Sequence, residues 1–164
     1  MGLPSIVVVD TSAAVDLVVE DSAHHRTCSD AFGSLVRAGV VFAFNELLEA
    51  ELLEAAYTWD VRRGGNADWR RRRRDGDLRR SVEREHAVLE KWRDAITACE
   101  PIVVPVRAVV DQAGPLMTRL GIGSYDAVHL ATARRLGAPL ITNDRLLARA
   151  SSRWPGAIMP RETA

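Results

Sequence analysis

Ile6-Val7-Val8-Val9-Asp10-Thr11-Ser12 is the stretch whose reading decides the fold. Four β-branched residues in succession predict a strand buried on both faces, as in the middle of a parallel sheet. Such a strand has no polar side on which to carry a charge. Its aspartate therefore stands at the carboxyl end, where open α/β sheets hold their ligands. Thr11 and Ser12 are candidates to cap the helix that follows.

Outward from this strand the pattern repeats. Ala13 to Glu20 reads as a short helix, and Ala23 to Arg37, capped by Asp21 or Ser22, as a second ending at Gly39. Val40-Val41-Phe42-Ala43-Phe44 is a second strand, and Asn45 an N-cap for a helix from Glu46 to Trp59. Ile102-Val103-Val104, Pro139-Leu140-Ile141-Thr142 and Ala157-Ile158-Met159 are further strands. Val106 to Leu120 is helical in pattern, with Gly114-Pro115 expected to kink or divide it. Ser124 is expected to cap the helix that ends near Gly137, and Arg145 to Ala150 is a short helix. Strands alternating with helices give an α/β protein with a parallel sheet.

The connection between the second and third strands is nearly 60 residues long, more than a βαβ crossover requires. It predicts a helical excursion over about residues 60–98, with a helix from Leu78 to Ala98. This segment is also basic. From Arg62 through Arg93 there are 12 Lys+Arg and 6 Asp+Glu, so it carries +6 and the remainder −6 although the net charge is zero. Uneven charge of this kind can attract anions. The run Arg70-Arg71-Arg72-Arg73-Arg74 is the candidate for phosphate recognition, although a charge run is also the ordinary dress of a solvated helix face.

A chain of 164 residues, 47% hydrophobic, suits one domain, and residues 1–164 are read as such. No apolar run approaches the roughly 20 residues that span a bilayer. Met1-Gly2-Leu3-Pro4 leaves no room for a signal peptide, and Cys28 and Cys99 show no metal or redox spacing. The expectation is a cytoplasmic protein without a membrane partner.

Chemistry is carried by acids. Asp10 and Asp144 each follow a buried strand, and Asp126 begins a helix, where its charge is favoured. The helix after the second strand holds Glu46, Glu49, Glu51 and Glu54. At about 100° per residue Glu51 alone falls within the apolar face of Leu47, Leu48, Leu52, Ala55 and Trp59. A carboxylate there is costly unless paired or bound to a metal. In a parallel sheet the four acids can meet at one edge, and a hard dication, Mg²⁺ or Mn²⁺, would relieve their repulsion. Zinc is disfavoured because no Cys/His set accompanies them. His129, one helical turn after Asp126, reads as packing beneath the site, and Tyr125 as structural. His24 and His25 are adjacent and cannot form an i, i+4 metal pair.

Val9-Asp10-Thr11-Ser12, Glu49-Ala50-Glu51-Leu52-Leu53, Ser124-Tyr125-Asp126-Ala127 and Leu140-Ile141-Thr142-Asn143-Asp144 together resemble the PIN domain family. Within it they resemble the VapC-type toxins of bacterial toxin–antitoxin pairs. The resemblance spans nearly the whole chain. It implies a three-layer α/β/α sandwich with sheet order 3-2-1-4-5 and a metal-dependent endoribonuclease. It also implies Asp10, Glu51, Asp126 and Asp144 as the acidic set, with Ser12 and Thr142 as supporting hydroxyls. A small antitoxin partner and a homodimer are further implications. The basic insertion is longer than many members carry. Three rival readings are a stand-alone RNA-processing nuclease, a haloacid-dehalogenase-like phosphatase and a non-catalytic binding module. The phosphatase would want a second acid at position 12, where Ser12 stands.

Overall fold

The computed structural model describes residues 3–63, 82–152 and 156–160, with side chains for 3–56, 86–152 and 156–160. The strands are β1 (Ile6–Val9), β2 (Val41–Asn45), β3 (Ile102–Val104), β4 (Leu140–Ile141) and β5 (Ala157–Ile158). The helices are α1 (Thr11–Val18), α2 (His25–Arg37), α3 (Leu47–Arg63), α4 (Val82–Thr97), α5 (Val110–Leu120), α6 (Ser124–Leu136) and α7 (Arg145–Ser151). The strands form one parallel sheet of order β3-β2-β1-β4-β5, the order that the family resemblance implies.

Alternation along each strand divides the core into two layers. Val7 and Val9 of β1, Phe42 and Phe44 of β2 and Ile141 of β4 face α1, α2, α3 and α4. Val8, Ala43 and Leu140 face α5, α6 and α7. Helices thus cover both faces, so β1 has no wet side and its run of valines is explained. The register sets Val8 beside Ala43 on one flank and Leu140 on the other. Asp10, Asn45 and Thr142 therefore come to one edge.

The helix α4 is not a solvated excursion. Val88, Trp92 and Ile96, four residues apart, are buried in the same core as β1 and β2, and the Trp92 ring meets Phe44 edge-on. Residues 64–81 lie outside the described residues, and with them the Arg70–Arg74 run and most of the expected basic insertion.

Several boundaries differ from the sequence expectation for identifiable reasons. Asp10 itself, not Thr11 or Ser12, is the N-cap of α1, accepting from the Ser12 backbone N–H. The helix α2 begins at His25 because Ser22 is drawn into a turn and its hydroxyl bonds Asp16. The expected division at Gly114-Pro115 is absent. Pro115 lies inside α5 on its exposed side, and the chain instead breaks at Val109, after the 3₁₀ turn Val106–Ala108. One lost bond on a solvated face is tolerated there, whereas Pro105 forces the entry. Gly123, not Ser124, is the N-cap residue of α6.

Candidate active site

At the carboxyl edge, Asp10 is nearly sealed, 4% exposed. Its Oδ2 accepts three hydrogen bonds: from Ser12 N at 3.2 Å, Ser12 Oγ at 2.5 Å and Thr142 Oγ1 at 2.7 Å. The two hydroxyls are themselves directed. Asn143 N donates to Ser12 Oγ at 2.9 Å, and Asp144 N donates to Thr142 Oγ1 at 3.0 Å. With a backbone N–H occupying one lone pair, each hydroxyl turns its proton to Asp10. Two short chains starting from the backbone after β4 thus hold one oxygen of Asp10. Its other oxygen, Oδ1, has His129 Nε2 at 3.7 Å, beyond hydrogen-bond range.

The same plan recurs at Asp144 and Glu51. Asp144 Oδ1 caps α7, accepting from Leu146 N at 2.6 Å and Leu147 N at 2.9 Å. Glu51 Oε2 accepts from Thr11 Oγ1 at 2.6 Å and meets His129 Nε2 at 2.6 Å. In each case one carboxylate oxygen is tied back and the second takes no part in these bonds.

Asp126 lies in the first turn of α6. Half-burial pushes its carboxyl above the usual carboxylate range, and the charges of Asp10 and Asp144 push the same way. A backbone hydrogen bond at Gly123 and the nearness of His129 oppose the rise without cancelling it. Three aspartates from β1, α6 and the β4–α7 junction therefore act on one another electrostatically, although they are far apart along the chain. Glu51 is engaged elsewhere, with His129.

The four glutamates at the start of and within α3 part as their spacing suggests. Glu46 accepts from Val106 N at 3.0 Å, Glu49 pairs in two places with Arg93, and Glu54 is exposed. Glu51 turns inward, its side chain 16% exposed. Its partner is a histidine, not the arginine that an ordinary buried pair would use.

His129 is buried, as expected of a residue packed beneath the site, yet it is bonded on both ring nitrogens. Nε2 meets Glu51, and Nδ1 meets Asn45 Nδ2 at 2.8 Å. Burial pulls its proton affinity down. The Glu51 hydrogen bond and the charges of Asp10, Glu51 and Asp126 together outweigh burial, and the net direction is up. Against this stands Asn45, whose Nδ2 donor faces Nδ1, where the second proton of an imidazolium would sit.

Asn45, Thr11 and Asp16 join the site through the fold, without standing out in the sequence as site residues. Sequence pattern marks Asn45 only as a helix cap. The signal that could have found it is its place at the carboxyl end of a buried strand, the feature that marks Asp10. Asp16, on α1, accepts from Asn143 Nδ2 at 2.6 Å and supports the β4–α7 loop from behind.

The donor set suits a hard dication: carboxylate oxygens only, each held by a neutral donor, with uncompensated charge around Asp126. Among the described residues, however, no three His, Cys, Asp or Glu side chains stand close enough together to hold an ion.

A parallel sheet of this order with acids gathered at its carboxyl edge defines a class that comparison makes specific. The PIN domain family model matches residues 7–152, and the chain belongs to that family. PIN domains are generally nucleases. The fold resembles that of PAE2754 from Pyrobaculum aerophilum, at 20% identity and a TM-score of 0.55, over 92% of this chain and 81% of that one. It also resembles VapBC2 from Rickettsia felis, solved bound to a DNA fragment from their promoter. That likeness has 16% identity, a TM-score of 0.59, and covers 93% of this chain and 96% of that one. No curated protein matches the sequence. Among the described residues no helix is long and apolar enough to cross a membrane.

Proposed function

We propose that this chain is a Mg²⁺- or Mn²⁺-dependent endoribonuclease acting as the toxin of a toxin–antitoxin pair. The observation that carries the proposal is the electrostatic convergence of Asp10, Asp126 and Asp144 at the carboxyl edge of the sheet. In this reading Asp10, Asp126 and Asp144 would hold the ion, with Glu51 as the fourth acid of the set. The chemistry such an ion would supply there is a water of lowered pKa and neutralisation of the charge gathering on the phosphate.

The chain's own residues perform the remaining tasks. Ser12 and Thr142 hold Asp10 in one orientation, so the ligand oxygen need not be ordered when substrate arrives. Glu51, tied back through Oε2, offers Oε1 as proton acceptor for the attacking water. Arg70 to Arg74 attract the RNA backbone as point charges and planar forks. A small antitoxin covers the acidic groove, and the toxin works in the cytoplasm as a homodimer. The VapBC2 likeness supports the antitoxin part of this proposal.

The test is cleavage of RNA by the purified protein with Mg²⁺, beside Asp10→Asn and Asp126→Asn. Wild type is expected to cut and both variants to lose at least about a hundredfold. Undiminished cleavage by either variant refutes the assignment.

A further inference from the structure

Asn45, His129 and Glu51 form one directed chain, and two of them, Asn45 and His129, lie outside the acidic set that the family resemblance implies. Its starting point is the end of β2. Asn45 Oδ1 accepts from Leu47 N at 2.9 Å, capping α3. An amide oxygen committed to that N–H leaves the amide nitrogen facing the other way, toward His129 Nδ1 at 2.8 Å. The amide orientation, usually ambiguous, is therefore decided by the helix cap. Nδ2 is a donor only, so Nδ1 must present a lone pair. The ring proton then lies on Nε2, which points at Glu51 Oε2, 2.6 Å away. Thr11 Oγ1, also at 2.6 Å, is the second donor to the same oxygen.

We infer that His129 is a positioning residue whose tautomer is set by Asn45 and whose Nε2–H, with the Thr11 hydroxyl, aims Glu51 so that Oε1 faces the reacting groups. The inference rests on the nuclease reading for its consequence but not for its geometry. It assigns His129 a task that packing alone does not. A fully buried ring, 1% exposed, cannot swing, so the carboxylate bonded to it is held as firmly as the core. The arrangement mirrors the hold that Ser12 and Thr142 exert on Asp10. The two clamps also share an origin. Each begins at a backbone N–H beyond a strand's carboxyl end, Leu47 after β2 and Asn143 or Asp144 after β4. Sheet geometry is thereby carried to two different carboxylates without a flexible link.

The inference separates variants that mere packing would group together. His129→Leu fills the space but removes the donor and leaves the Asn45 amide nitrogen unpaired. His129→Gln places an amide nitrogen near the position of Nε2. Asn45→Asp keeps an oxygen for Leu47 N but replaces the donor that faces Nδ1 with an acceptor. That draws the ring proton to Nδ1 and away from Glu51.

The experiment pairs kinetics on RNA with nitrogen NMR of the full chain labelled at histidine. The wild-type spectrum is expected to show His129 with its proton on Nε2 and a bare Nδ1, and Asn45→Asp to show Nδ1 protonated. His129→Leu and Asn45→Asp are expected to lower kcat about tenfold or more with KM within about twofold, and His129→Gln to recover most of the loss. A wild-type ring protonated on Nδ1 alone overturns the inference, as does wild-type kcat in His129→Leu. If the wild-type protein cuts no RNA, the nuclease reading fails while the NMR spectrum still decides the tautomer.

Discussion

Removing a charge from the site should make this protein more stable, and Asp126 is the place to see it. Its half-buried carboxyl is pushed up by burial and by the charges of Asp10 and Asp144. Folding therefore works against an ionised Asp126. The sign follows from linkage. A folded-state pKa above the unfolded value gives a contribution fully present below the ordinary carboxylate value of 3.8 and lost as pH rises through the raised value. At neutral pH, without metal, the charged group is a liability. Asp126→Asn keeps the shape and an oxygen to accept the bond at Gly123, and removes the charge. Solvent reaches half the group and screens it, so the gain belongs at the low end of charge-optimising substitutions, roughly 1 kcal/mol. For a chain of 164 residues that corresponds to a rise in Tm of about 2–4 °C.

The assay is thermal unfolding of both proteins in EDTA from pH 3 to pH 8. The variant should melt higher at pH 7, and the gap should close toward pH 3 as the wild-type carboxyl takes up its proton. A variant that is less stable at pH 7, or a gap that does not change with pH, would refute the view that burial and the neighbouring acids disfavour an ionised Asp126.

Other consequences follow from the same geometry. Thr142→Val removes a charge-assisted bond to Asp10 and leaves Asp144 N without its acceptor; it should cost about 1.5–3 kcal/mol in urea unfolding and lower cleavage severalfold. Mn²⁺ affinity should fall on the acid side at a pH above the ordinary aspartate value, because the metal-free Asp126 takes up its proton there and the proton competes with the ion; titrations at several pH values check this. Trp92→Ala empties a core position beside Phe44 and should cost about 3–5 kcal/mol, read by chemical denaturation. Changing Arg70 to Arg74 to glutamine should flatten the salt dependence of RNA binding, by about 0.7 in slope for each phosphate that is no longer neutralised.

Much of the fold is legible because burial leaves a plain mark. Val7, Val8 and Val9 announce a strand covered on both faces, and Asp10 after them announces the ligand edge. Glu51 can be told from Glu46, Glu49 and Glu54 because helical spacing separates an inward carboxylate from outward ones. What cannot be read are pairings set by registration between strands. Nothing in the order of residues says that Asn143 N reaches Ser12, or that Asn45 faces His129, since the first pair is joined only when β1 and β4 lie side by side and the second only when α6 packs on β2. His129 reads as packing because a histidine on an apolar helix face gives no hint of what its two nitrogens meet. The helix α4 reads as part of an excursion because the connection from β2 to β3 is nearly 60 residues long, although Val88, Trp92 and Ile96 suffice to seat it on the core.

Calorimetric titration with Mn²⁺ bears most directly on the central claim, that the three aspartates form a dication site. Wild type should bind Mn²⁺ and gain thermal stability in proportion, about 2.7 kcal/mol at a hundred times the Kd, while Asp126→Asn should bind far more weakly. Absence of binding to the wild-type protein, or equal binding by the variant, would contradict the account.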